Sequence, residues 1–169
     1  MPIFGNGRIG FNLVIRYVSI VVTAQIQRQR TSKIMQNSGQ LDSISYLTCP
    51  DGSKRAYLHH EGRKEGPGLV FLAGHGSDMF GTKADALHQM ACSHNIPFLR
   101  FDYFGHGLSD GAFLDGTITK WVNDCLMMLD QLTTGPQILV GSSLGGWLMI
   151  RTAQDRRDRI AGLVGIAAA

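Results

Sequence analysis

From residue 43 onward, short apolar runs alternate with longer stretches in which apolar side chains recur every three or four positions. Residues 44–48 and 55–60 read as short strands, and Pro50-Asp51-Gly52 between them is a turn signal, so this segment predicts a hairpin. Residues 61–68 form a polar, glycine-containing loop. Leu69-Val70-Phe71-Leu72-Ala73 is unbroken apolar sequence, the pattern of a strand buried on both faces. Ala84, Leu87, Met90 and Ala91 share one helical face and predict a helix running from Thr82, as its cap, to about Ser93. Residues 97–101 predict the next strand, with Pro97 at its start. Ile118, Trp121, Val122, Cys125, Leu126, Leu129 and Leu132 form a second helical stripe, flanked by Met127 and Met128 as core-edge filler. Residues 137–140 read as a strand, 144–153 as a helix and 160–167 as a further buried strand. Strands alternating with helices imply a mostly parallel sheet with right-handed crossovers and helices on both faces. Ligand sites in such sheets lie at the C-terminal ends of the strands.

The chemistry concentrates at that edge. Gly141-Ser142-Ser143-Leu144-Gly145 is a G-x-S-x-G pentapeptide between a predicted strand and a predicted helix. That context predicts a nucleophile elbow, a tight turn that lifts the Oγ of Ser143 clear of the sheet. The turn needs small neighbours, and Gly141 and Gly145 supply them. The N–H of Leu144 falls at a helix N-terminus, where a developing oxyanion is stabilised.

Two more loops end strands at the same edge. Gly74-His75-Gly76-Ser77-Asp78-Met79 follows the apolar run. Gly74 lets the backbone turn, and by position the N–H of His75 is the second oxyanion donor, partnering Leu144. The His75 side chain lines the pocket, acts as a base, or serves only through its backbone. The other loop, residues 100–111, carries Asp102, Gly105, His106 and Gly107. Asp102 is placed to accept backbone N–H bonds within the turn. It precedes Ser143, which argues against a triad acid in a fold whose order is Ser, acid, His. Gly105-x-Gly107 lacks the third glycine and the following helix of a dinucleotide site.

Composition narrows the partners. The net charge of +3 comes from the start of the chain: residues 1–41 hold five basic residues and no acid, leaving eleven basic against all thirteen acidic residues. The remaining domain has no basic stripe for nucleic acid. Cys49, Cys92 and Cys125 have neither disulfide nor metal spacing and read as small buried hydrophobes in a reducing compartment. Residues 9–23 are interrupted by Asn12 and Arg16, so no stable membrane span is expected. Residues 1–34 read as an extension: an upstream mis-assigned start with Met35 the true first residue, a mitochondrial transit peptide, or a weak signal peptide. Cytoplasmic location is the primary expectation, and mitochondrial the alternative if 1–34 is a transit peptide.

Three motifs together resemble the α/β-hydrolase fold family: the stretch from Gly74 through Met79 and Gly81-Thr82-Lys83-Ala84, Arg100-Phe101-Asp102-Tyr103, and Gly135 to Trp147 around the elbow. Within it they look like the serine hydrolase subgroup that contains a mitochondrial palmitoyl-protein thioesterase, also an acyl-glucuronide esterase, and bacterial relatives. The resemblance runs from about Ser43 to Ala169. It implies hydrolysis of a small acyl ester or thioester through a seryl-acyl intermediate, with Ser143 as nucleophile and the N–H groups of His75 and Leu144 as the oxyanion hole. It implies no metal and no organic cofactor, and leaves the oligomeric state open. A serine elbow argues against a haloalkane dehalogenase.

The family places its acid after the seventh strand and its His after the eighth. All six histidines here precede the elbow, so neither triad partner maps onto this sequence. The expectation is therefore residues 35–169 as the N-terminal portion of one hydrolase domain, truncated after about the sixth strand. Such a fragment is expected to be poorly soluble and essentially inactive, because loss of the triad His alone costs about 10⁶ in kcat in a well-studied protease. Two alternatives stay open. One is a non-catalytic binding protein of this fold. The other is a serine-elbow hydrolase of another bond: amide, carbon–carbon or perhydrolytic.

Overall fold

Six strands form one sheet in the order β1-β2-β4-β3-β5-β6 in the computed structural model, which describes residues 44–63 and 65–168. The N-terminal extension 1–34 lies outside the described residues. Strands β1 (Ser45–Thr48) and β2 (Lys54–His60) pair antiparallel as the expected hairpin, with Ser45 opposite Tyr57 and Thr48 opposite Lys54. Strand β2 runs antiparallel to β4 (Phe98–Phe101). The other pairings, β4 with β3 (Gly68–Leu72), β3 with β5 (Gln137–Ser142) and β5 with β6 (Ile160–Ile166), are parallel.

Helix α1 (Thr82–His94) links β3 to β4. Helix α2 (Ile118–Leu132) links β4 to β5, and α3 (Leu144–Asp155) links β5 to β6. The first crossover steps one way across the sheet and the next two step the other way. Right-handed connections therefore put α1 on one face and α2 with α3 on the other. The reversal falls between β3 and β5, whose outgoing loops diverge and leave a crevice at their C-terminal ends, where open α/β sheets bind ligands.

Every residue of β3, β4 and β5 is buried, as unbroken apolar runs demand when helices cover both faces. Arg100 is the exception in kind: no part of it is exposed, yet it is charged. Its Nη1 donates to the Met79 carbonyl (3.0 Å) and to Asp85 (2.5 Å), so burial is compensated by α1 and the preceding loop. Helix α2 starts at Thr117, whose hydroxyl accepts the Lys120 N–H at 3.2 Å. Helix α1 ends at Asn95 in the left-handed conformation (φ 55°), its N–H closing on carbonyls of the last turn.

Several expectations change. Thr82 is the first helical residue and not the cap; extended Gly81 caps α1, because the Gly81 carbonyl already accepts the Asp85 N–H at 3.0 Å. Met128 is fully buried and not at the core edge, because the buried arc of α2 takes in Asp124 and Met128 as well as Trp121, Cys125 and Leu129. Strand β5 continues past Val140 through Gly141 and Ser142, still paired with β6. Strand β6 is buried on one face only: Val164 and Ile166 point inward, while Ala161, Leu163 and Gly165 are exposed. Among the described residues it is an edge strand. Cys49 and Cys125 are buried, but Cys92 is exposed on the outer side of α1. No helix among the described residues is long and apolar enough to cross a membrane.

Candidate active site

The elbow follows from the small residues around it. The backbone turns from β5 into α3 within one residue, and Ser143 takes the strain at φ 51°, ψ −121°, a conformation that L-residues avoid. A Cβ on Gly141 would sit 2.7 Å from the Gly146 Cα, and one on Gly145 would press into the β3 backbone, 2.6 Å from the Ala73 carbonyl oxygen. Only glycine permits the helix to start this close to both strands. The Gly146 N–H closes the first turn on the Ser143 carbonyl (2.8 Å), and the Ser143 N–H donates to the Ile166 carbonyl at the end of β6 (3.1 Å). Gly141 and Ser142 are buried, and Ser143 is exposed. Leu144 opens α3, so its N–H has no carbonyl one turn back within the helix to bind.

The loop after β3 lies directly against this turn. A Cβ on Gly74 would stand 3.5 Å from the Cβ of Ser143 and 3.4 Å from the Ser142 carbonyl oxygen. The loop is fastened at its far end, where the Met79 N–H donates to Asp102 Oδ1 (2.7 Å) and the Met79 carbonyl accepts from Arg100. His75 is exposed, and its ring packs on Phe113 (5.0 Å between centroids) and Trp121 (5.7 Å) beyond β4. The His106 ring lies 6.3 Å away, so His75 sits in a cluster of rings on the β4 side of the loop.

Asp102 is buried and accepts two backbone N–H bonds, from Met79 and from Leu108 (2.8 Å). It thus joins the β3 loop to the β4 loop, as expected of a structural acceptor. Burial pushes its carboxyl up to about 6, against the pull of those two N–H groups. Gly107, at φ 48°, is required beside it, because a Cβ there would collide with the carboxylate. Tyr103 reinforces the junction by donating its hydroxyl to the Ala73 carbonyl at 3.0 Å.

The geometry brings Gly74 against Ser143 at the β3/β5 crevice, with Leu144 and His75 next in their respective segments and Asp102 fastening the loop from β4. Among the described residues the Ser143 hydroxyl makes no hydrogen bond, and no cluster of His, Cys, Asp or Glu has the form of a metal site. A separate cavity, lined by His59, Pro97, Leu132 and Gln137 among others, opens at the opposite ends of the parallel strands. His106 has a part in the site that sequence reading missed. Its ring is buried and accepts the Gly76 N–H at 3.2 Å. The only sequence signal was its place between two glycines in the β4 loop.

The profile of the family described as serine aminopeptidase, S33 matches residues 67–169. The chain is 46% identical over 127 residues to the bovine palmitoyl-protein thioesterase ABHD10, mitochondrial, covering 75% of this chain and 41% of that protein. With the human protein of the same name it shares 43% identity over 141 residues, covering 83% of this chain and 45% of that protein. The solved structure of mouse alpha/beta hydrolase domain-containing protein 10 superposes with a TM-score of 0.72 at 44% identity, covering 75% of this chain and 50% of that one. The chain thus spans less than half the length of the curated relatives it matches. With a family profile over most of the chain and the sheet order, elbow and flanking loop all in place, the chain belongs to the serine aminopeptidase S33 family of α/β-hydrolases.

Proposed function

We propose that the protein is a serine hydrolase of acyl thioesters or esters, and that this chain carries the nucleophile and the oxyanion hole. The observation that carries the reading is Ser143, held strained and exposed at the elbow with the Gly74 loop against it. In this mechanism Ser143 Oγ attacks the acyl carbonyl carbon and gives its proton to a base. The N–H groups of His75 and Leu144 hold the resulting oxyanion, and its collapse expels the thiol or alcohol. Water then hydrolyses the seryl ester and restores Ser143. The base and its acid belong to sequence outside the described residues, and residues 35–169 supply part of one hydrolase domain. Thioesters are favoured over other acyl groups because the relatives nearest 45% identity are named palmitoyl-protein thioesterases.

The test is turnover of thioester, ester and amide substrates by the whole gene product, with and without Ser143→Ala. Loss of thioester turnover in the variant is expected; retained turnover would overturn the assignment. The 169-residue chain by itself should label only weakly with a fluorophosphonate, because an unassisted serine is a poor nucleophile. Strong labelling that disappears in Ser143→Ala would show that this chain is active alone.

The relatives' names also favour the mitochondrial alternative over the cytoplasm, in keeping with the acid-free, Arg-containing start. Residues 1–34 fused to a fluorescent protein should direct it to mitochondria, and diffuse cytosolic signal would count against a transit peptide.

A further inference from the structure

We infer that His106 is a positioning residue for the oxyanion loop: its neutral ring, protonated at Nδ1, holds the Gly76 N–H and so sets where the neighbouring His75 N–H points. The inference rests on the oxyanion role proposed above for His75. The His106 Nδ1 lies 3.1 Å from the Phe104 carbonyl oxygen, which can only accept, so that nitrogen carries the proton. Nε2 is then a lone-pair acceptor, and the Gly76 N–H donates to it at 3.2 Å.

The ring has little freedom to give up this arrangement. It is 3% exposed and boxed by Tyr103, Phe113 and Trp121 at centroid separations of 5.0–5.5 Å, all near edge-on. Its anchor is equally fixed. The Phe104 carbonyl also accepts from Trp121 Nε1 (3.1 Å), and the Phe104 N–H donates to Asp124 (2.7 Å). Asp124 in turn pairs with buried Arg55 at 2.7 Å. A line of hydrogen bonds, buried at Arg55–Asp124 and part-buried beyond it, therefore runs from β2 through α2 and the Phe104 backbone to His106, and ends on Gly76.

What His106 holds would otherwise be loose. The loop is fastened to the core at Met79, but residues 75–78 are exposed. Within residues 74–77 the other backbone bond is local, Ser77 N–H to the Gly74 carbonyl at 3.1 Å. Gly76 sits at φ 65°, so its peptide is held in a conformation that glycine can also leave easily. Among the described residues His106 is the side chain that ties this stretch to the core. An oxyanion donor displaced by about 1 Å can lose about 10²-fold in rate.

The experiment compares three variants in the whole gene product. His106→Gln keeps an acceptor near the Nε2 position. His106→Asn keeps an N–H near Nδ1 but loses that acceptor. His106→Phe keeps the ring alone. kcat and KM on a short acyl thioester and Tm are measured for each. His106→Asn and His106→Phe should lose about 10- to 100-fold in kcat with KM little changed, while His106→Gln stays close to wild type. Equal activity of the Gln and Asn variants, or a loss that follows Tm and not the acceptor, would overturn the proposal. Turnover surviving in Ser143→Ala would instead overturn the nucleophile assignment, so the two failures are distinguishable.

Discussion

Ser143 is held where a serine is uncomfortable. A non-glycine residue at φ 51° and ψ −121° costs on the order of 1–3 kcal/mol, maintained by the packing of Gly141 and Gly145 against β3 and α3. Replacing it with glycine removes the Cβ that causes the strain. Ser143→Gly should therefore raise stability by about 1 kcal/mol while abolishing labelling at this position. Denaturant midpoints of the glycine and alanine variants test this, and a glycine variant less stable than alanine would contradict it. Asp102 presents the converse case of a buried charge. Its carboxyl titrates near 6 in the fold against 3.8 ordinarily, so the folded chain binds that proton more tightly than the unfolded one. The stability contributed by this group is complete below pH ~4 and is lost as pH rises through 6. Asp102→Asn has no such loss. Its stability relative to wild type should climb between pH 4 and 6.5 by up to about 3 kcal/mol, read from urea midpoints, whereas a flat difference would rule the shift out.

The loops after β3 and β4 behave as one element. Asp102, Arg100, Tyr103 and His106 all reach from the β4 side to residues 73–79, and the β4 side is itself anchored by Arg55 and Asp124. Burial pushes the Asp124 carboxyl up, and the Phe104 N–H and Arg55 pull it back. Removing Asp124 leaves a buried guanidinium and an unpaired Phe104 N–H. Asp124→Ala should cost about 3–5 kcal/mol, and adding Arg55→Met should recover part of that loss. A single variant within 1 kcal/mol of wild type, by the usual uncertainty of extrapolation, would mean the pair is not structural. The sequence marked Asp102 as a backbone acceptor by its place in the turn after β4 and its position ahead of Ser143, out of order for a triad acid. Arg55, Asp124 and His106 gave no such signal. They lie 69 residues apart for the ion pair and 30 for the bond to Gly76, and each looks like an ordinary polar residue until the chain folds.

Across the sheet, the two edges differ. On one side the edge is β1, a four-residue strand in an antiparallel hairpin with β2. On the other, β6 exposes Leu163 in line with Ala161 and Gly165, and α3 leaves Trp147 and Ile150 partly exposed. An open parallel strand with apolar side chains is a template for association. The 169-residue chain should therefore self-associate at micromolar concentration, and Leu163→Lys should reduce this by charging the exposed face. Sedimentation velocity reads the outcome; a monodisperse wild-type chain unaffected by the lysine would refute it.

What could be read without coordinates was local. Unbroken apolar runs identified the buried strands, and the helical stripes identified the helices. The five residues around Ser143 announced a turn too tight for side chains on its flanks. Each of these depends on neighbours within one element, so the pattern along the chain carries it. What folding alone settled was long-range. Strand order placed the reversal of direction between β3 and β5 and so put the Gly74 loop against Ser143. The one-sided burial of β6 depends on what packs beside it, not on its own apolar residues. His106 acquired a role only because the fold laid its Nε2 against the Gly76 N–H. A hydrogen bond between distant loops has no period in sequence, whereas burial and turn chemistry do.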